Sequence, residues 1–354
     1  MRIEAITTYE AFANLKDNWE AVYAADPEAQ FFLSWTWLSR WLQELQWQWV
    51  VLAAKPSAEA PAYIAFFPLK YHARKTREGA TSVEIAMAGN RLADYTGFIC
   101  TPAFEDRALR AFALFIRSKN WNALHLENIL ASDERLGLFM KHVLPTGFQT
   151  VKVDQMDEVG NNNHICPFVR LPADWETYLN TSLSSNTRQK VRRFLKKVET
   201  SGELRITHAQ AGTIEDNVDI LLRYWVAKWG HKLGDELDRI ISIFRTMLIH
   251  CFDNGSLFLP VLWKGETPIG ALASLIDKKK KSLLFYIAGR DTGLSNPPPG
   301  FVLHAYSIRY AIGNGFTTYD FLRGNEPYKY LFGAEERHIR HIVVRANKSL
   351  NLIG

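Results

Sequence analysis

Between residues 256 and 288 three apolar, strand-forming runs follow one another closely, at 256–263, 268–276 and 281–288. Strands joined by such short turns pair antiparallel with their neighbours. The turn Lys278 to Lys281 is a run of charge that keeps a sheet edge soluble. A loop at 289–300 then leads into a helical run, 301–312, stopped by Gly313 and Gly315, and strand-formers return at Tyr319, Phe321 and Leu322. A meander followed by a helical crossover gives a mixed, mostly antiparallel sheet with helices laid against it, an α/β (α+β) fold.

The remainder of the chain repeats this theme. Phe12, Leu15, Trp19 and Tyr23, then Leu38, Trp41, Leu42 and Leu45, fall at helical spacing. Strands are expected at 47–52, 62–70 and 123–127, and helices at 104–117 and 133–143. The helix at 31–45 belongs to a stretch with five tryptophans (Trp35, Trp37, Trp41, Trp47, Trp49), which serves either as a buried packing face or as an aromatic wall beside a groove. Residues 156–164, with Gly160 and consecutive asparagines, are the best linker. They divide the chain into a first domain, 1–160, and a second, 161–354. A chain of 354 residues has room for two such cores.

In the second half a strand at 166–171, a short helix at 174–179, a strand at 204–207 and helices at 214–229 and 236–251 complete the pattern. Between them lies SLSSNTRQKVRRFLKKVETSG. Ser184 or Ser185 caps its start and Gly202 its end, and Val191, Phe194, Leu195 and Val198 form one apolar stripe. Arg188, Lys190, Arg192, Arg193, Lys196 and Lys197 occupy the other positions. Because the whole chain has a formal net charge of only +5, its basicity is concentrated in this helix. Three roles fit: a solvated face, a seat for an anionic substrate or cofactor phosphate, or a contact with nucleic acid such as a tRNA acceptor stem.

Other chemistries find little support. Cys100, Cys166 and Cys251 are scattered, with neither a disulfide framework nor metal-ligand spacing, so no metal is expected. No G-x-G-x-x-G, Walker or Ser-His-Asp signature is present. The N-terminal MRIEAITTYEAFANLKDNWE lacks an apolar h-region, and no apolar run approaches the roughly 18 residues of a membrane span, so a soluble, cytoplasmic protein is expected.

The densest functional signal is TTYDFLRGNEPYKYLFGAEERHIR, residues 317–340. A strand runs into Gly324-Asn325, and Asp320, Arg323 and Glu326 surround its end, the position that lines ligand crevices in open α/β sheets. One or two helical turns follow Pro327, and 338–345 reads as a final strand. On a straight strand Asp320 and Arg323 face opposite ways, so they cooperate only if the strand ends or bulges near Leu322.

The stretch FLRGNEPYKYLFG resembles the D-F-L-R-G-x-E-x-Y-K signature of the GNAT-type acetyltransferase-like proteins that include the cellulose-biosynthesis protein CelD. Its continuation, Phe332-Gly333-Ala334-Glu335, is similar to the Fem peptidyltransferases, which use aminoacyl-tRNA. FFLSWTWLSRWLQ and the basic helix extend the resemblance over most of the chain; YWVAKWG is similar to the family's H-x-x-R-W-G but departs at Tyr224 and Val226. The resemblance implies tandem GNAT-like domains, the first degenerate, with chemistry in the second and in the cleft between them. It further implies transfer of an acyl group, acetyl above all, from a CoA thioester to an amine or hydroxyl of a small-molecule or saccharide acceptor, in polysaccharide or cell-envelope metabolism. A Fem-like transferase fed by aminoacyl-tRNA, and a non-catalytic binding protein of polysaccharide assembly, are the alternatives.

Direct transfer needs a base, an acid and oxyanion donors but no covalent nucleophile. Asp320 and Glu326 are the base candidates and Tyr328 the acid, while Arg323 and Lys329 bind anionic groups or orient the carboxylates. In GNAT enzymes a Q/R-x-x-G-x-G/A loop holds the pyrophosphate of acyl-CoA. Arg290, Gly293 and Ser295 match it in part, and the helix begins after three prolines, which have no N–H to donate. The expected donors are therefore the amides of Gly300, Phe301 and Val302. Asp94 and Tyr95 resemble the family's S-D-Y motif, although Asp94 also suits an Asx turn. With Arg192 and Arg193 they complete the candidate substrate-binding residues. His304, on the helix after the cofactor loop, reads as a packing histidine.

Overall fold

The computed structural model describes residues 1–346 apart from 45–47, 76–80, 91, 145, 147, 154, 159 and 295, so Leu45, Trp47 and Ser295 lie outside the described residues. The chain divides into two compact units, Met1–His164 together with His338–Gly354, and Ile165–Arg337. Each is an α/β unit built on one mixed sheet.

In the first unit come β1 (Arg2–Ile6), α1 (Tyr9–Ala13), α2 (Lys16–Ala25), α3 (Trp35–Glu44), β2 (Gln48–Lys55), β3 (Ala65–Lys75), β4 (Thr81–Met87), β5 (Ile99–Cys100), α4 (Glu105–Arg117), β6 (Ala123–Ile129), α5 (Asp133–Val143) and β7 (Phe148–Lys152). The second unit supplies β8 (Ile165–Arg170), α6 (Trp175–Thr181), α7 (Ser185–Thr200), β9 (Leu204–His208), α8 (Ile214–Trp229), α9 (Leu237–Asp253), β10 (Leu257–Phe258), β11 (Pro260–Lys264), β12 (Thr267–Asp277), β13 (Ser282–Arg290), α10 (Pro299–Gly313), β14 (Thr318–Asp320), α11 (Pro327–Tyr330) and β15 (Glu335–His338). The last strand, β16 (Arg340–Ala346), returns to the first unit. The sequence places everything after residue 160 in the second domain; the sheets place β16 elsewhere.

The strand orders are β1-β2-β3-β4-β6-β16-β7 and β15-β8-β14-β13-β12-β11-β9, with β5 on β3 and β10 on β12. Each sheet has a parallel pair at a crossover helix: β4 with β6 around α4, and β13 with β14 around α10. The two units thus share a plan, and at the place next to the parallel pair each carries a strand remote in sequence: β16 beside β6, and β8 beside β14.

The first core packs α4 and α5 on the sheet through Phe67, Phe98, Phe112 and Phe139. Aromatic residues of the N-terminal helices pack together: Trp19 and Trp37 are completely buried, Phe12 stacks on Trp35 at 4.4 Å and Trp19 on Phe66 at 4.6 Å. The tryptophans of α3 are a packing face. Beneath α5 lies a charged knot. Arg135, 2 % exposed, makes a two-pronged bond to Asp26 (3.0 and 2.9 Å) and reaches Glu105 and Glu28, while Asp26 also accepts from the amides of Cys100 and Glu28. Burial works against the guanidinium charge, but the surrounding carboxylates more than offset it and hold the pKa of Arg135 up.

In the second unit α7 follows its sequence signals. Ser184 Oγ accepts from the Thr187 amide (3.3 Å), and Val191, Phe194 and Leu195 are buried. No helix among the described residues is long and apolar enough to cross a membrane.

Candidate active site

The parallel pair β13–β14 is short. It is in register at Ser282/Thr318, Leu283/Tyr319 and Leu284/Asp320, and then the strands part, β13 running on to Arg290 along β12 while β14 stops. The stop is built locally. Leu322, buried, takes the left-handed conformation at φ 57° and donates its amide to Asp320 Oδ1 (2.9 Å), which offsets the cost of about 1–2 kcal/mol for that backbone. Gly324 follows at φ 94°, and a Cβ there would stand 2.8 Å from Glu326 Oε2, so only glycine lets the Glu326 side chain fold back. A fork opens between the two strands, with the 321–330 loop on one side and the end of β13 on the other.

Two structural clamps shape that loop. Asp320 is 2 % exposed and paired with Arg337, whose guanidinium lies 4.8 Å from the Phe168 ring. Lys329, equally buried, donates from Nζ to the carbonyls of Arg323 (2.7 Å) and Gly324 (2.8 Å) and lies 2.8 Å from Glu326 Oε2. The charged residues around the strand end therefore fall into two groups. Asp320 is engaged in holding the loop, so it is not placed as a base, and Lys329 braces the turn rather than presenting itself to substrate. Arg323 is half-buried, with its carbonyl taken by Lys329.

Glu326 and Tyr328 remain at the fork. Tyr328 keeps 37 % of its surface exposed, and its ring lies 5.4 Å from that of His304 on α10. Partial burial and the Glu326 carboxylate raise the pKa of its hydroxyl, while Arg290 opposes them. Lys228 on α8 joins them, a residue that no motif in the sequence singles out as functional. Burial and Arg290 lower the pKa of this α8 lysine, and Glu326 raises it, so Lys228, Arg290, Glu326 and Tyr328 share one electrostatic neighbourhood. Gly289 sets this spacing: a Cβ there would lie 2.7 Å from Tyr224 Cβ and 2.8 Å from the Trp225 amide, so α8 sits directly on the strand. Lys228 follows one turn later, beside the strand end that carries Arg290. The signal in the sequence is YWVAKWG, where the lysine sits in an aromatic setting; its Nζ lies 4.4 Å from the Trp229 ring.

Arg290 also lies against the start of α10, its Cδ 3.4 Å from where a Gly300 Cβ would stand. The expected amide donors divide here. The Val302 amide bonds to Pro298 O (3.2 Å) and the Gly293 amide to Asp291 Oδ1 (2.8 Å), so neither faces a ligand. Gly300 and Phe301, in the first turn, have no carbonyl within the helix to satisfy them. With the Arg290 guanidinium alongside, they fit the pyrophosphate of an acyl-CoA.

The other predicted residues are engaged with neighbours of their own. On α7, Arg192 pairs with Glu176 (2.5 Å), Lys197 with Glu203 (3.1 Å), and Arg193 lies over its neighbour Phe194. Such exposed pairs contribute about 0–1 kcal/mol. Asp94 and Tyr95 belong to the first unit, where Tyr95 is buried with its ring edge-on to Phe32 at 5.9 Å. In that unit the equivalent crossover helix, α4, opens with Glu105 and Asp106, which repel an anionic phosphate. Among the described residues no group of three or more His, Cys, Asp or Glu is arranged to hold a metal ion.

Residues 185–330 match the acetyltransferase (GNAT) domain family. No curated protein matches the sequence. Among solved structures the chain is similar to FemX over 100 % of both chains, at 12 % identity and a TM-score of 0.67. It is similar to the C-terminal domain of a putative lysylphosphatidylglycerol synthetase from Agrobacterium fabrum (94 % of this chain, 91 % of that one, 12 % identity, TM-score 0.54). A third likeness is to L-PGS from Bacillus licheniformis (95 % and 93 %, 11 % identity, TM-score 0.54). At these identities the likeness is one of fold. The chain carries a GNAT-type acyltransferase fold in two mixed α/β sheets flanked by helices.

Proposed function

We propose that this protein is an acyltransferase whose second unit moves an acyl group, acetyl first among them, from a CoA thioester to an amine or hydroxyl. The supporting observation is the fork of β13 and β14, with Arg290 and the Gly300 and Phe301 amides at its phosphate side and Glu326 and Tyr328 at its loop side. In this mechanism Glu326 takes the proton from the attacking amine or hydroxyl, and Tyr328 supplies one to the departing thiolate. Lys228 and Arg290 hold the donor's phosphates or an anionic acceptor. The acceptor is a small molecule or a saccharide of cell-envelope or polysaccharide metabolism, as the CelD-like signature implies, and the setting is cytoplasmic.

Glu326→Gln is expected to lower turnover with acetyl-CoA by about two powers of ten or more, and Tyr328→Phe to lower it comparably, with little change in melting temperature. Variants that melt lower yet turn over normally would make the loop a fastening and remove both residues from the chemistry.

A second donor is favoured by the charge on α7 and by the FemX-like fold: an aminoacyl-tRNA. Replacing Arg192, Arg193, Lys196 and Lys197 by Gln leaves the buried stripe untouched, so the fold should persist. If tRNA is the donor, affinity for it falls, and the slope of log K against log salt flattens by about 0.7–0.9 for each phosphate that is no longer neutralised. With acetyl-CoA as donor, the ligand raises the melting temperature of the unaltered protein. Unchanged tRNA affinity and salt slope would leave α7 as a solvated face.

A further inference from the structure

His304 occupies the point where the two strands of the fork separate. It is 3 % exposed, and its ring lies 4.6 Å from that of Phe285 and 5.2 Å from that of Phe321. Those residues directly follow the last paired rung, Leu284/Asp320, Phe285 within β13 and Phe321 just past the end of β14. Behind the imidazole, Nδ1 is 2.9 Å from the hydroxyl of Tyr319, a completely buried side chain. Burial holds the pKa of Tyr319 well up, and the nearby hydroxyls of Ser274 and Ser307 oppose it; both serines are buried, and neither oxygen has a hydrogen-bond partner among the described residues.

The contact with Tyr319 allows two arrangements; in the one where the Tyr319 hydroxyl donates, Nδ1 accepts. Burial, with Lys329 and Arg290 nearby, lowers the imidazole pKa to about 3, which favours the neutral ring, and in that arrangement its one proton sits on Nε2. The hydrogen bond of His304 among the described residues is the one at Nδ1. Nε2 is left to donate to an oxygen of a ligand.

We propose that His304 is a further catalytic residue, whose Nε2–H donates a hydrogen bond to the carbonyl oxygen of the acyl group held at the fork. The proposal rests on the acyltransferase reading. As the acceptor's nitrogen or oxygen bonds to the carbonyl carbon, the C=O π electrons move onto oxygen, and the His304 N–H stabilises the charge without giving up its proton. The acceptor's proton passes to Glu326. Collapse re-forms C=O and breaks the carbon–sulfur bond, and the thiolate leaves with the proton of Tyr328, which solvent and Glu326 then restore. A neutral donor suits this role because it stays an N–H donor across the working pH range.

The test uses the full chain with acetyl-CoA as donor and hydroxylamine as acceptor, read by thiol release above the uncatalysed rate. His304→Phe keeps the ring volume without a donor and should lose about 10²- to 10³-fold in kcat, with KM for acetyl-CoA little changed. His304→Gln, whose amide N–H stands near the position of Nε2, should recover most of that loss. Tyr319→Phe, which frees Nδ1, should lose activity by an intermediate factor. Nitrogen-15 histidine spectra should show His304 neutral and protonated on Nε2 between about pH 5 and 8, with that tautomer no longer enforced in Tyr319→Phe. An active protein whose folded His304→Phe turns over normally, or a His304 protonated on Nδ1, overturns the proposal alone. If His304→Phe does not fold, normal turnover in Tyr319→Phe together with no loss in His304→Ala overturns it equally. If the unaltered protein releases no thiol, the acyl-CoA reading falls and this proposal falls with it.

Discussion

Arg135→Met is expected to lower the unfolding free energy by about 3–5 kcal/mol, because it strips the counter-charge from the completely buried Asp26 carboxylate. Asp26 is completely buried, and two backbone amides together with Arg135 satisfy it; Glu105 and Glu28 lean on the same guanidinium. Removing the cation leaves Asp26 charged in an apolar setting, or forces it to take up a proton. The hydrogen bonds that join α2, α4, α5 and β5 at this point fail together. Urea unfolding of the variant measures the effect. The double substitution Asp26→Leu with Arg135→Met should recover part of the loss, since a buried ion pair is worth little against apolar residues of similar volume. A loss under about 1 kcal/mol in the single variant would mean that the knot is open to water.

A chain ending at Arg337 is expected to lose the cooperative fold of the first unit while keeping that of the second. β16 pairs with β6 on one side and β7 on the other, so its removal opens one edge of β6, which keeps β4 on its other side, and leaves β7 without its partner. It also takes away Val343 and Val344, buried side chains that contribute about 1.5–3 kcal/mol each. Residues 165–338 hold every strand of the second sheet in one contiguous piece and should fold alone, unfolding in a single transition. Limited proteolysis of the shortened chain should digest 1–164 first. Survival of both transitions at their original urea midpoints would mean that β16 is dispensable.

The sequence carries the elements that depend on neighbours along the chain. Helix α7 is legible because its cap, apolar stripe and terminal glycine agree, and α8 and α5 because their periodicity is strong and bounded. Strands β1, β4, β7 and β15 go unread, for each is short or too polar to alternate clearly, and pairing rather than propensity fixes them. The end of β14 near Leu322 is legible through Gly324 and Pro327. The fork is not, because nothing local states that β13 outruns β14. The charged residues divide by the same rule. Glu326 and Tyr328 stand out as polar groups beside a turn, whereas a lysine amid charges reads as exposed until the carbonyls of Arg323 and Gly324 are seen closing over Lys329. Asp320 is conspicuous, but its partner Arg337 lies beyond α11, and only the pairing reveals a fastening role. Lys228 escapes because α8 meets β13 through Gly289, a contact between segments some sixty residues apart.

The strand that comes home to the first sheet also sets an order in time. On the ribosome, chains lengthen by about 5–20 residues per second, and domains fold as they become complete. Residues 1–164 emerge early but lack β16, so β6 and β7 wait with open edges while 165–337 are made. The later half is the first able to finish. During that interval the nascent first sheet exposes unpaired backbone of the kind that seeds association with other chains, and a chaperone that covers β6 and β7 until residue 346 arrives would act at the most vulnerable moment in the life of this protein.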